Sequence, residues 1–181
     1  CTSSPSVTLL ELMVAALTPA SSADATWLRI SANSATQGLR FTGSFSTGRT
    51  VYLNAASSGI DVTTGNTVTL ASPLGFATAT SALQKNDNGT LEISANNSAG
   101  GYNGVITVAA GALKGSNDLA LGTATGNTVV SNVHGAALQL NGVSIVEPLS
   151  LNASGINGNG ALEALPGTSN TVSGAVTMAN T

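Results

Sequence analysis

The sequence predicts an all-β solenoid, a chain wound into stacked coils of short strands. Three observations carry this reading. Strand-like runs of three to five residues recur between Gly, Asn and Ser turns, charged residues are scarce, and two separate segments return at nearly the same offset. At 181 residues the chain fits one unit with a substantial core.

Hydrophobic residues make up 42% of the chain, charged residues 7% and aromatics 3%. So much Val, Leu and Ile argues against disorder, which pairs low hydrophobicity with high net charge. Globular domains carry roughly a quarter of their residues as charges. Here neutral hydroxyls and amides must cover the surface, which suits stacked turns better than exposed helices. A net charge of −3 with only five Lys and Arg leaves no footprint for nucleic acid or an anionic membrane. The single cysteine, Cys1, closes no internal disulfide, zinc site or CxxC pair. With Thr2-Ser3-Ser4-Pro5-Ser6 behind it, Cys1 resembles the start of a mature bacterial lipoprotein; the plainer reading is a mere boundary of the chain. No run reaches the ~18 apolar residues of a membrane-spanning helix.

Residues 1–26 form the first expected unit. Thr8 and Glu11 make a T-x-x-E capping box, Leu9, Leu10, Leu12, Met13, Ala16 and Leu17 follow at helical spacing, and Pro19 with Ser21 and Ser22 ends the pattern. The same stretch resembles the opening of a type IV pilin, but Pro19 stops the apolar run too early for that long helix. A short amphipathic helix covering the first rung of the solenoid is the better account, because an open rung exposes both core and strand edge.

Residues 27–181 form the second expected unit, the solenoid itself. Strand-like runs are Leu39–Phe41, Thr50–Leu53, Ile60–Val62, Thr67–Leu70, Thr90–Ser94, Val105–Val108, Thr128–Ser131, Ala137–Leu140, Ile145–Leu151 and Val176–Met178. Alternation, as in Thr67-Val68-Thr69-Leu70, sends one side inward and the other to solvent. Strand pattern alone leaves sandwich, barrel and solenoid open, and repetition decides among them. Gly89-Thr90-Leu91-Glu92-Ile93 returns as Gly160-Ala161-Leu162-Glu163-Ala164, and Gly104-Val105-Ile106-Thr107-Val108 returns as Gly174-Ala175-Val176-Thr177-Met178, at offsets of 71 and 70 residues. With roughly 20 to 25 residues per coil, this is a super-repeat of about three coils. A smaller echo, Gly65-Asn66-Thr67-Val68 in Gly126-Asn127-Thr128-Val129, leaves its register open. Stacking places like above like, so Asn and Thr ladders are expected where like charges would repel.

These residues resemble the autotransporter-associated β-strand repeat of bacterial surface and secreted passengers. The resemblance rests on Gly89-Thr90-Leu91-Glu92-Ile93-Ser94, Asn97-Ser98, Tyr102-Asn103-Gly104, Val105 to Val108, Ala110-Gly111-Ala112-Leu113 and Leu119-Ala120-Leu121-Gly122. Glu147 to Asn152 and Asn157 to Leu162 look like connecting coils, and Gly167, Asn170-Thr171 and Ser173-Gly174 like a second turn of the repeat. It covers 86–181 well, 27–85 loosely and 1–26 not at all. Gly100-Gly101 is extra in the first turn, and Val172 stands where an aromatic is usual. The resemblance implies a right-handed parallel β-helix exported from a bacterium to its surface, as a passenger fragment or a stand-alone relative. No strands of outer-membrane barrel type are evident in the sequence.

Chemistry is thin. The acids Glu11, Asp24, Asp61, Asp87, Glu92, Asp118, Glu147 and Glu163 are each isolated in sequence, whereas a glycosidase needs two flanking carboxylates. Glu92 and Glu163 hold equivalent repeat positions; they read as solvent-facing positions on equivalent strands rather than as a catalytic pair. His134, in the turn-like Asn132-Val133-His134-Gly135, is expected to be a surface histidine rather than a general base. Gly100-Gly101-Tyr102-Asn103-Gly104 lacks the acid of a calcium nonapeptide. Trp27, Tyr52 and Tyr102 are far apart, and Tyr102 is expected to cover a turn or coil edge. The expectation is a non-catalytic extracellular structural module with no catalytic, cofactor or metal residues, stacking end to end on copies of itself as a filament or forming a passenger stalk. The alternatives are an adhesin or carbohydrate-binding passenger contacting cell-surface or matrix components, and, more remotely, a polysaccharide-cleaving solenoid.

Overall fold

The computed structural model describes residues 27–31, 33–131 and 135–178. Cys1, the Thr8–Glu11 capping box, the expected capping helix and His134 lie outside them. The described chain is a β-solenoid of about six turns whose strands pair in parallel. Its helical pieces are two 3₁₀ turns, Ser98–Gly100 and Ile156–Gly158.

Each coil runs through three walls. The first wall stacks β2 (Ser34–Phe41), β5 (Ser57–Val62), β8 (Ala82–Asn86), β10 (Val105–Val108), β12 (Asn127–Val130), β15 (Leu149–Leu151) and β18 (Val176–Met178). The second stacks β3 (Phe45–Thr47), β6 (Thr67–Leu70), β9 (Thr90–Ile93), β11 (Gly111–Gly115), β13 (Ala136–Leu140) and β16 (Leu162–Ala164). The third is broken. It holds β1 (Trp27–Ile30), β4 (Thr50–Leu53) and β7 (Gly75–Phe76) early, and β14 (Ser144–Ile145) with β17 (Thr171–Val172) late.

The register explains the long repeat. Leu91 pairs with Leu113, Leu113 with Leu138 and Leu138 with Leu162, so the offset of 71 residues is three rungs. On the first wall Ile106, Thr128, Leu149 and Val176 follow one another in the same way over the offset of 70. The echo at Gly65 and Gly126 does not stack, since Thr67 belongs to the second wall and Thr128 to the first.

Alternation within each strand builds the core. Val68, Leu91, Leu113 and Leu138 form one buried column, and Leu83, Ile106, Thr128 and Leu149 another. Each fully buried Leu, Ile or Val contributes about 1.5–3 kcal/mol of transfer free energy, which stacked neighbours share out coil by coil. At the first described rung Phe41 and Phe45 meet edge to face at 5.1 Å. On the last, Val176 and Met178 are 47% and 75% exposed.

Two expectations need correction. Ile145–Leu151 is not one strand but two, β14 and β15, parted by a corner at Val146-Glu147-Pro148 where proline has no N–H for a ladder. Tyr102 does not cover an edge: it is wholly buried, its ring 5.5 Å from that of Phe76. The extra Gly100-Gly101 closes the 3₁₀ turn, with Gly101 at φ +80°, a left-handed conformation that glycine adopts without strain.

Candidate functional site

Outward positions of the second wall form one polar column: Ser46, Thr69, Glu92, Lys114, Gln139 and Glu163. Glu92 is its hub. Its carboxylate accepts hydrogen bonds from Thr69 Oγ1 (3.1 Å) and Ser116 Oγ (2.6 Å) and pairs with Lys114 Nζ at 3.3 Å. Burial alone would raise this acid, but the hydrogen bonds of Ser116, Lys114 and Thr69 and the Lys114 charge outweigh it and hold the carboxyl below its usual value. Glu163 accepts from Gln139 Nε2 at 2.8 Å.

The structure therefore does put Glu92 and Glu163 on one face, with Lys114 and Gln139 between them. Three rungs at the ~4.8 Å strand spacing separate their backbones by roughly 14 Å, beyond the carboxyl spacing of glycosidases. Polar ladders exist, but they join unlike partners: Asn86 Nδ2 to Asp61 Oδ1 (2.9 Å), Asn141 Nδ2 to Ser116 Oγ (3.0 Å), Thr69 to Glu92. Asn97 goes further. Buried between rungs, it accepts from the Leu74 amide at 2.8 Å and donates to the Ala120 carbonyl, tying three successive third-wall segments together.

Among the described residues two charge-bearing side chains, Lys85 and Glu147, lie inside the core, and the burial of both was missed at the level of sequence. Lys85 takes an inward place between Ile60 and Val108. Its ammonium donates to the carbonyls of Asn86 (2.7 Å), Asp87 (2.7 Å) and Ala110 (3.1 Å), where the chain turns from the first wall to the second. Asp87 adopts φ 63° in that turn and caps the Asn88 amide with its own carboxylate at 2.8 Å. Burial pushes the ammonium down to about 8, against the pull of Asp87 and Asp61.

Glu147 occupies the opposite edge of the first wall and is 2% exposed. Thr128 Oγ1 donates to its Oε1, while Oε2 and the Tyr102 hydroxyl are buried without a protein partner. Burial pushes the carboxyl up to about 7, and the Thr128 hydrogen bond recovers only part of that. Tyr102 is itself driven up by burial and then by the Glu147 charge. A parity signal was available for both. Lys85 shares parity with Leu83 on β8, and Glu147, two residues before β15, shares parity with Leu149 and Leu151, so each continues an inward series.

Among the described residues no three His, Cys, Asp or Glu side chains gather to hold a metal ion, and no helix is long and apolar enough to cross a membrane. Neither a protein-family model, nor a curated protein, nor a solved structure matches the chain.

Proposed function

We propose that the chain is a non-catalytic structural module, a stiff β-solenoid that works by extending its own stack. One observation carries this reading: parallel rungs repeat in register along the described chain, and outward side chains bond to the rungs above and below. A parallel edge with apolar side chains is a template for one more coil. The occupant we favour is a second copy of the chain.

The side-chain chemistry supports it. Outward columns are satisfied by hydrogen bonds between neighbouring rungs, so their carboxylates and amides serve the stack itself. An extracellular, surface-exposed setting rests on the resemblance of 86–181 to autotransporter passenger repeats. Electron microscopy and sedimentation of the purified chain test the assembly. Concentration-dependent fibres or oligomers, weakened by Met178→Lys, are expected. Dispersed monomers at high concentration would sink end-to-end assembly.

A further inference from the structure

We propose that Glu147 is a proton-operated fastening between coils: protonated, it lets the coil ending in β18 dock on the coil below, and ionised it loosens that joint. The inference holds whatever stacks on β18.

Register places Glu147 in a column with Ser81, Gly104 and Gly126 below it and Gly174 above. The glycines make its room. A Cβ at Gly126 would lie 2.9 Å from Glu147 Oε2, a Cβ at Gly104 2.8 Å from the Tyr102 hydroxyl, and a Cβ at Gly174 1.9 Å from the Glu147 carbonyl oxygen. The Glu147 backbone is thus roofed by backbone of the next coil, while its carboxyl lies against the coil below, with one oxygen bound by Thr128 and the other left without a protein partner.

Among the described residues no cation answers it. The rung below presents Gly126, Asn127 and Thr128, the rung above Ser173, Gly174 and Ala175, and its own corner Val146 and Pro148. The titratable group coupled to it is Tyr102, whose phenol stays neutral because burial and the Glu147 charge both hold its proton. An anion in such a place must find water or lose its charge. Burial accordingly pushes the carboxyl up to about 7.

The last described coil lies directly above, with Gly174 over the Glu147 backbone. It is held on either side of Glu147 by amides donating across the joint: Leu149 to Ala175 (2.8 Å), Ser173 to Ile145 (2.9 Å) and Thr171 to Val143 (2.9 Å). Lifting that coil admits water to the carboxylate.

Amide hydrogen exchange of the intact chain tests this, with Leu149, Ser173 and Thr171 followed by NMR from pH 5 to 8 and corrected for intrinsic rates. The folded state holds the proton longer than the opened state, so protection must fall as pH rises toward 7. A loss of more than tenfold between pH 5 and 7, levelling above, is expected at these three amides. Ser116, which donates to Ile93 far down the stack, should keep its protection. Glu147→Gln should flatten the dependence. Protection independent of pH in the wild type, or an unchanged fall in Glu147→Gln, overturns the proposal. Should that variant not fold, the ¹³C titration of the Glu147 carboxyl decides: a midpoint near 7 upholds the fastening, and one near the ordinary glutamate value overturns it.

Discussion

Lys85 and Glu147 sit at opposite edges of the same wall, and the backbone treats them in opposite ways. The turn beside β8 aims three carbonyls at the Lys85 ammonium, which has three protons to give. The corner before β15 gives the Glu147 carboxyl one hydroxyl and otherwise glycine. A charge can stay where its full hydrogen-bonding capacity is met; where it is not, the group gives up the charge. Both therefore titrate away from their ordinary ranges: Lys85 ties the walls through three carbonyls while charged, below about pH 8, and Glu147 is settled in the core while neutral, below about pH 7.

Removing the tie should have the largest effect. Lys85→Ala strips the packed stem and orphans the carbonyls of Asn86, Asp87 and Ala110, so a loss of about 3–5 kcal/mol is expected in urea unfolding. A variant as stable as wild type would show that the carbonyls find water instead.

The pH dependence comes next, and its sign differs between the two groups. Glu147 is raised from 4.5 to about 7, so its stabilisation is complete below 4.5 and lost as the pH rises through 7. That loss amounts to roughly 3 kcal/mol at about 1.4 kcal/mol per pH unit. Lys85 is lowered from 10.5 to about 8, so its contribution is present above 10.5 and lost as the pH falls through 8. Together the two groups place a trough of stability between about pH 7 and 8. Urea midpoints across pH should show it, with Glu147→Gln erasing the acid side and Lys85→Met the alkaline side.

Smaller effects sharpen the contrast. Tyr102→Phe deletes a buried hydroxyl that has no protein partner, and a change within about 1 kcal/mol of wild type, of either sign, is expected from thermal unfolding. A loss above about 2 kcal/mol would mean that the hydroxyl serves Glu147 directly. Lys114→Ala, on the outward column, should cost only about 0.5 kcal/mol, because its pair with Glu92 is near solvent and Ser116 and Thr69 still bind the carboxylate.

Sequence reasoning reached the stack but not its exceptions. Thr67–Leu70 and Val105–Val108 were legible as strands because alternation of two is a local property. Strand β8 was not, since Gln84, Lys85 and Asn86 put a charge at the inward position where alternation calls for an apolar residue. Tyr102 looked like an edge cover because its burial depends on Gly104 leaving space at its hydroxyl and Gly122 at its ring.

The sequence by itself determined the repeat: an offset of 70 to 71 residues in both walls, which the register resolves into three rungs. It also determined the neutral surface, because composition is independent of folding. Only the tertiary structure decided which charges went inside and what met them. Coil lengths vary, from the 21 residues between Thr128 and Leu149 to the 27 between Leu149 and Val176. Such differences in length, taken up in turns, set which glycine lies against which carboxyl.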